Sequence, residues 1–184
     1  MFSQKGQESA PFELLIAMIL MGFVIVVGFN ALDRLGFEIC KGNMNQNMEQ
    51  IRTAIETVVK NKSKGNVAYD LPNCFKEDES KLRILDSEDP QYCSAYCGGG
   101  VQSCKVLTFY NPEFSDTKCL RVSQATTFPT DEDTCNPEVF GSPGEFSTID
   151  WQDQEHGIVE GQYTLKAEFN LFSKTPQICV YRRG

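Results

Sequence analysis

The residues with the most chemical potential in this chain are its eight cysteines: Cys40, Cys74, Cys93, Cys97, Cys104, Cys119, Cys135 and Cys179. Thiols in such number serve either as thiolate ligands or as disulfide partners. A zinc ribbon needs paired knuckles of C-x2-C type. Here the tightest set is Cys93-x3-Cys97-x6-Cys104, with no second knuckle and one distant histidine, His156. The x3 spacing also departs from the x2 spacing of thiol redox motifs. All eight cysteines follow one long apolar stretch. Their even number and one-sided placement predict disulfides formed on the oxidising side of a membrane. Eight cysteines allow many pairings, and the spacing selects none. Bonds from Cys40 and Cys179 to loop partners would tie a helix and a strand to the loops.

Other reactive residues form no constellation. His156 sits alone in Gln154-Glu155-His156-Gly157, a turn sequence, and no nucleophile-elbow pattern surrounds any serine. Gly98-Gly99-Gly100 lacks the Gly-Lys-Ser/Thr ending of a phosphate loop and reads as a tight turn between disulfides. Asp131-Glu132-Asp133 with Glu138 offers hard oxygens, but without the spacing of a calcium loop it reads as a solvated acidic segment. Phe140, Phe146 and Trp151 fall in a Pro/Gly-rich acidic loop and read as cover for the edge of the core. The sequence therefore predicts no enzyme, no metal or cofactor, and no small-molecule substrate. The formal net charge is −8, with acids concentrated in Glu77-Asp78-Glu79, Glu88-Asp89 and Asp131-Glu132-Asp133. Such a surface repels phosphate backbones and excludes nucleic acid as a partner. It is also a poor match for anionic lipid headgroups. Asn61-Lys62-Ser63 is the one N-x-S/T sequon, a candidate glycan acceptor on an external surface.

The elements that must position these residues begin with the apolar stretch. Leu14 to Leu32 carries no charge and is bracketed by Glu13 and Asp33-Arg34. As a helix rising about 1.5 Å per residue it spans roughly 28 Å, close to the ~30 Å hydrocarbon core of a bilayer. A cleaved secretory signal needs small residues at −3 and −1. Cleavage after Ala31 would put Phe29 at −3, so the stretch reads as a retained membrane helix. Pro11 suits a first helical turn, which starts the helix near Ala10 or Pro11 with Ser9 as cap. Beyond the apolar stretch, Met44, Met48, Ile51, Ile55 and Val58 recur at steps of four and three among polar residues. That is one apolar stripe on a wet helix, suited to packing on a sheet. Gly36 and Gly42 mark expected points of bending or local melting. Asn61-Lys62-Ser63-Lys64-Gly65 supplies basic residues and a glycine to end the helix.

Past Gly65 the pattern changes to short β-rich segments between turn clusters. Leu82–Leu85, Lys105–Tyr110, Cys119–Val122, Tyr163–Leu171 and Ile178–Tyr181 are the predicted strands. Tyr163, Leu165, Ala167, Phe169 and Leu171 alternate with polar residues, giving one buried and one wet face. The last two strands form a hairpin across Ser173–Gln177. The fold class is α+β: a long N-terminal helix, membrane-spanning first and amphipathic second, packed on a small antiparallel sheet with disulfide-stapled loops.

The leader adds a further reading. Lys5-Gly6-Gln7 precedes an acid-containing spacer and then the retained apolar helix. Over roughly residues 4 to 35 this resembles archaeal type IV pilin-like proteins with a class III signal peptide. The resemblance implies a membrane prepilin peptidase that cuts between Gly6 and Gln7, with Lys5 holding the leader on the cytoplasmic side. It implies a leader at 1–6, a membrane and assembly helix at 7–35, and an extracellular disulfide-rich α+β domain at 36–184. In the family a glutamate at the fifth mature position serves assembly. That position here is Pro11, and Glu13, seventh from Gln7, is the acid at the apolar boundary that would serve instead. The implied function is a structural subunit of a type IV filament or related archaeal cell-surface assembly. Its partners would be the prepilin peptidase, the membrane and other pilin-like subunits. The alternative is a single-pass membrane-anchored extracellular binding or adhesion protein that does not polymerise.

Overall fold

A computed structural model of the chain describes residues 10–129, 134–135, 146–148, 157–169 and 175–183. Two compact units divide it, Met1–Cys40 and Lys41–Gly184. One helix, α1 (Ala10–Asn61), begins where Pro11 predicts. It runs unbroken through Gly36 and Gly42, where bending or melting was expected. A single glycine costs about 1 kcal/mol in a helix interior, too little to open a turn flanked by good helix formers. Ser9 lies outside the described residues.

The end of α1 departs from expectation. Lys62, not Gly65, takes the left-handed position, at φ 50°. Lys62 N–H donates to Val59 O at 3.4 Å, and Ser63 N–H donates to Val58 O at 3.2 Å. This is a Schellman closure built on a lysine. Gly65 lies instead in the next strand, where an added Cβ would stand 2.9 Å from Val58 Cγ2. Its missing side chain lets strand and helix approach closely.

The second unit holds the α+β domain, and its β structure is divided between two antiparallel sheets. The first has strand order β1 (Lys64–Tyr69), β6 (Gly161–Phe169), β7 (Pro176–Arg183), β5 (Phe146–Thr148). The second has order β2 (Lys81–Ser87), β3 (Cys104–Asn111), β4 (Phe114–Leu120). A short helix, α2 (Pro90–Cys97), joins β2 to β3, and a 3-10 turn occupies Glu77–Glu79. The segment leading into β6 meets the second sheet where Ile158 N–H donates to Leu82 O in an isolated bridge. Beside it Gly157 holds φ 70°, and a Cβ there would be 2.8 Å from the Leu82 carbonyl oxygen.

Strand β4 falls earlier than the expected Cys119–Val122. The two-residue turn Pro112-Glu113 pairs Asn111 with Phe114 and starts β4 at once. Asn111 stabilises that turn by accepting from Glu113 N–H at 3.0 Å, while its amide donates to Ser80 Oγ at 3.0 Å. Those two bonds allow a buried asparagine. The β6–β7 pairing runs from Tyr163 opposite Arg182 to Phe169 opposite Pro176, as the hairpin reading requires. Leu171 lies outside the described residues.

The apolar stripe of α1 is the core. Met44, Met48, Ile51, Ile55 and Val58 are buried. From Lys41 onward the helix meets both sheets. Val58 backs Gly65 of β1, and Glu56 Oε1 accepts from Arg121 N–H, just past β4, at 3.0 Å. On the first sheet Val67, Tyr69, Tyr163, Leu165, Ile178 and Val180 are buried. In the second sheet the central strand β3 is buried on both faces. One face carries Cys104 and Val106 beneath α2. The other carries Leu107 and Phe109, and Phe75 packs on Phe109 and Phe114 at ring separations of 5.1 and 5.9 Å.

Candidate functional site

The feature that most needs a partner is the first half of α1. From Phe12 to Leu35 its large apolar side chains are exposed on every side, with Met21, Phe23 and Val24 each at 67%; Ile39 is exposed as well, and Phe37 is half-buried. A core helix would hide one stripe, as the same helix does after Lys41. Here the most apolar window has a mean hydropathy of 2.6 and no residue buried inside the chain. Moving such side chains out of water gains about 1.5–3 kcal/mol each, so leaving the whole run in water costs on the order of tens of kcal/mol. One helix near the N-terminus is thus long and apolar enough to cross a membrane. Its glycines Gly22 and Gly28 have no neighbour within 4 Å of where a Cβ would stand, so packing within the chain does not require them.

Charged groups bound this surface. Glu13 lies in the first turn of α1, exposed, where the helix macrodipole favours a carboxylate. Asp33 and Arg34 follow the apolar run and are also exposed. Lys5, Gly6 and Gln7 lie outside the described residues. So do His156, Asp131-Glu132-Asp133, Glu138, Phe140 and Trp151. Phe146 falls in β5. Asn61, the sequon residue, is the last residue of α1 and is exposed.

All eight cysteines are disulfide-bonded. Cys93 bonds Cys104, Cys97 bonds Cys119, and Cys135 bonds Cys179. Cys40, on α1, and Cys74 are likewise bonded. The x3 spacing of Cys93 and Cys97 puts both on one side of α2, one turn apart. They staple that helix to β3 and β4. Sequence reasoning passed over α2, although its signals are present. Asp89 caps it, accepting from Gln91 and Tyr92 N–H at 2.8 and 3.4 Å, with Pro90 at the first position and Gly98 after the end. The three glycines are then the link from α2 to β3, between Cys97 and Cys104, as the turn reading expects. Cys179 does tie a strand to a loop, since Cys135 lies outside the strands.

The strongest electrostatic perturbations are structural. Burial raises the phenols of Tyr163 and Tyr181 to about 12. Burial, with Glu160 adding to it, pushes Tyr69 up as well. The Tyr163 hydroxyl donates to Val159 O. Buried Lys105 pairs with Asp86 at 2.5 Å across the β2–β3 ladder. Among the described residues no group of three or more His, Cys, Asp and Glu side chains is placed to hold a metal ion.

A groove of about 610 Å³ lies between α1 and β1. Gln46, Gln50, Thr53 and Thr57 form its helical wall, at steps of four, three and four, and Asn66 and Ala68 belong to the strand wall. Strand β1 escapes the sequence reading because Lys64 and Gly65, its first two residues, belong to the Asn61–Gly65 segment expected to end the helix. No protein-family model, curated protein or solved structure matches this chain.

Proposed function

We propose that the chain is a pilin-like structural subunit of a type IV filament or a related archaeal cell-surface assembly. One observation carries this reading: a single helix is apolar on all sides for its first half and becomes the core of a disulfide-bonded domain in its second. A plain anchor needs only the first half, joined by any linker. The subunit is held in the membrane as a precursor, with its domain on the oxidising side, and a prepilin peptidase removes residues 1–6. The mature helix then exchanges lipid for the helices of neighbouring subunits. Gly22 and Gly28, with nothing among the described residues within 4 Å of an added Cβ, would let another helix come close. Glu13 would pair with a neighbour's N-terminal amine, since a carboxylate entering an apolar bundle must be paired. Asn61 stands exposed as an acceptor for a glycan on the outer face.

The open groove beside β1 favours a second reading, a membrane-anchored binding or adhesion protein that does not polymerise. The two separate on the mass and N-terminal sequence of the mature protein from its native host. A start at Gln7, cyclised or free, is the expected result. An intact Met1 with the protein dispersed evenly in the membrane sinks the filament reading and leaves the anchored binder. A start near Ala31 or Leu32 sinks both.

A further inference from the structure

The β1 edge of the first sheet is built to accept another strand. Ala167 N–H donates to Ser63 O at 3.1 Å, which fixes the alternation of the β1–β6 ladder. Gly65, Val67 and Tyr69 exchange bonds with β6, so the backbone N–H and C=O of Asn66 and Ala68 turn outward. Both residues are exposed, and both line the groove beside α1. Among the described residues β1 is an end strand of its sheet. Unpaired edge groups are a template for strand addition. Here Gln46, Gln50, Thr53 and Thr57 would flank an added strand, with Ala54 and Val58 in the floor.

The opposite edge of the same sheet supplies the complement. The β6–β7 and β7–β5 registers carry the alternation across, so Ser147 bonds β7 while Phe146 and Thr148 turn their backbone groups outward. Among the described residues this sheet has four strands, and they pair with one another antiparallel throughout; Thr127 adds an isolated parallel bridge to β7 at Gln177. An even antiparallel sheet has edges that run in opposite directions. A second copy in the same orientation therefore brings its β5 antiparallel to β1 of the first. Copies anchored in one membrane share that orientation. The contact is heterologous and open-ended, the symmetry that builds a filament rather than a closed dimer.

We infer that β1 of one subunit pairs with β5 of the next copy, continuing the sheet between subunits. The inference rests on the assembly reading above. The test is hydrogen exchange on the full mature chain, compared between its self-associated form and the detergent-dispersed monomer. Amides of Asn66 and Ala68 should exchange at least roughly tenfold more slowly in the assembly, as newly bonded amides do. Ala68→Pro removes an outward N–H without breaking the β6 ladder, and should lower self-association by about tenfold or more, whereas Ala68→Ser should not. The exchange comparison uses the natural chain, so misfolding of the proline variant would not spoil it. Assemblies in which both amides exchange at the monomer rate overturn the edge pairing and leave the filament reading intact. A processed chain that never assembles overturns both.

Discussion

Single residues set the local stability of this domain, and two kinds stand out. Lys62 closes α1 in the left-handed region, where a side chain costs about 1–2 kcal/mol relative to glycine's freedom. Lys62→Gly should therefore stabilise the protein by about 0.5–1 kcal/mol in denaturant unfolding, and it leaves the sequon around Asn61 intact. The buried tyrosines make the domain sensitive to alkali. Tyr163 and Tyr181 are raised from 10.0 to about 12, and Tyr69 is raised as well, all chiefly by burial. A pKa raised in the folded state contributes stability that is fully present below the unfolded value and lost above it. Thermal midpoints should hold below pH 10 and fall as pH rises from there toward about 12. Tyrosinate absorbance should show these phenols ionising well above pH 10 while the fold persists, and earlier only where the protein unfolds. Ionisation near pH 10 with no loss of fold would contradict the burial argument.

At the scale of elements, α2 depends on its staples. It has eight residues, too few for a helix to be stable in isolation. Cys93–Cys104 and Cys97–Cys119 close separations of 11 and 22 residues and hold it to β3 and β4. Replacing both Cys97 and Cys119 with serine should cost about 2–4 kcal/mol. Amide exchange in α2 should accelerate, while the first sheet, stapled separately by Cys135–Cys179, keeps its protection. The stripe on α1 behaves differently. Its five apolar residues were readable from their spacing because a helix repeats every 3.6 residues. Strand β3 was also readable, but not its burial on both faces, which depends on α2 above and the Phe75 cluster below.

For the whole molecule, the question is what covers the apolar half of α1. Glu13→Gln provides a prediction at this scale. The variant should still be extracted only by detergent, since the apolar run is unchanged. On the proposed assembly reading, its incorporation into filaments should fall by about tenfold or more, because a buried carboxylate–amine pair would be lost. Equal incorporation of variant and natural chain, measured on sheared surface material, would remove Glu13 from the assembly contact.

The sequence by itself determined the features governed by local periodicity and composition. These are the apolar span, the core stripe of Met44 to Val58, the β6–β7 hairpin and the disulfide-bonded state of the cysteines. Each depends on residues close in the chain or on an even count confined to one side. Tertiary structure alone decided what depends on distant partners. It split the β structure into two sheets, because β1 leaves the helix directly and pairs with a strand nearly a hundred residues later. It also chose the cysteine pairs given above, since spacing favours no connectivity and only packing brings sulfurs within bonding distance. The open β1 edge belongs to the same class: a strand becomes an edge only when the sheet order is known.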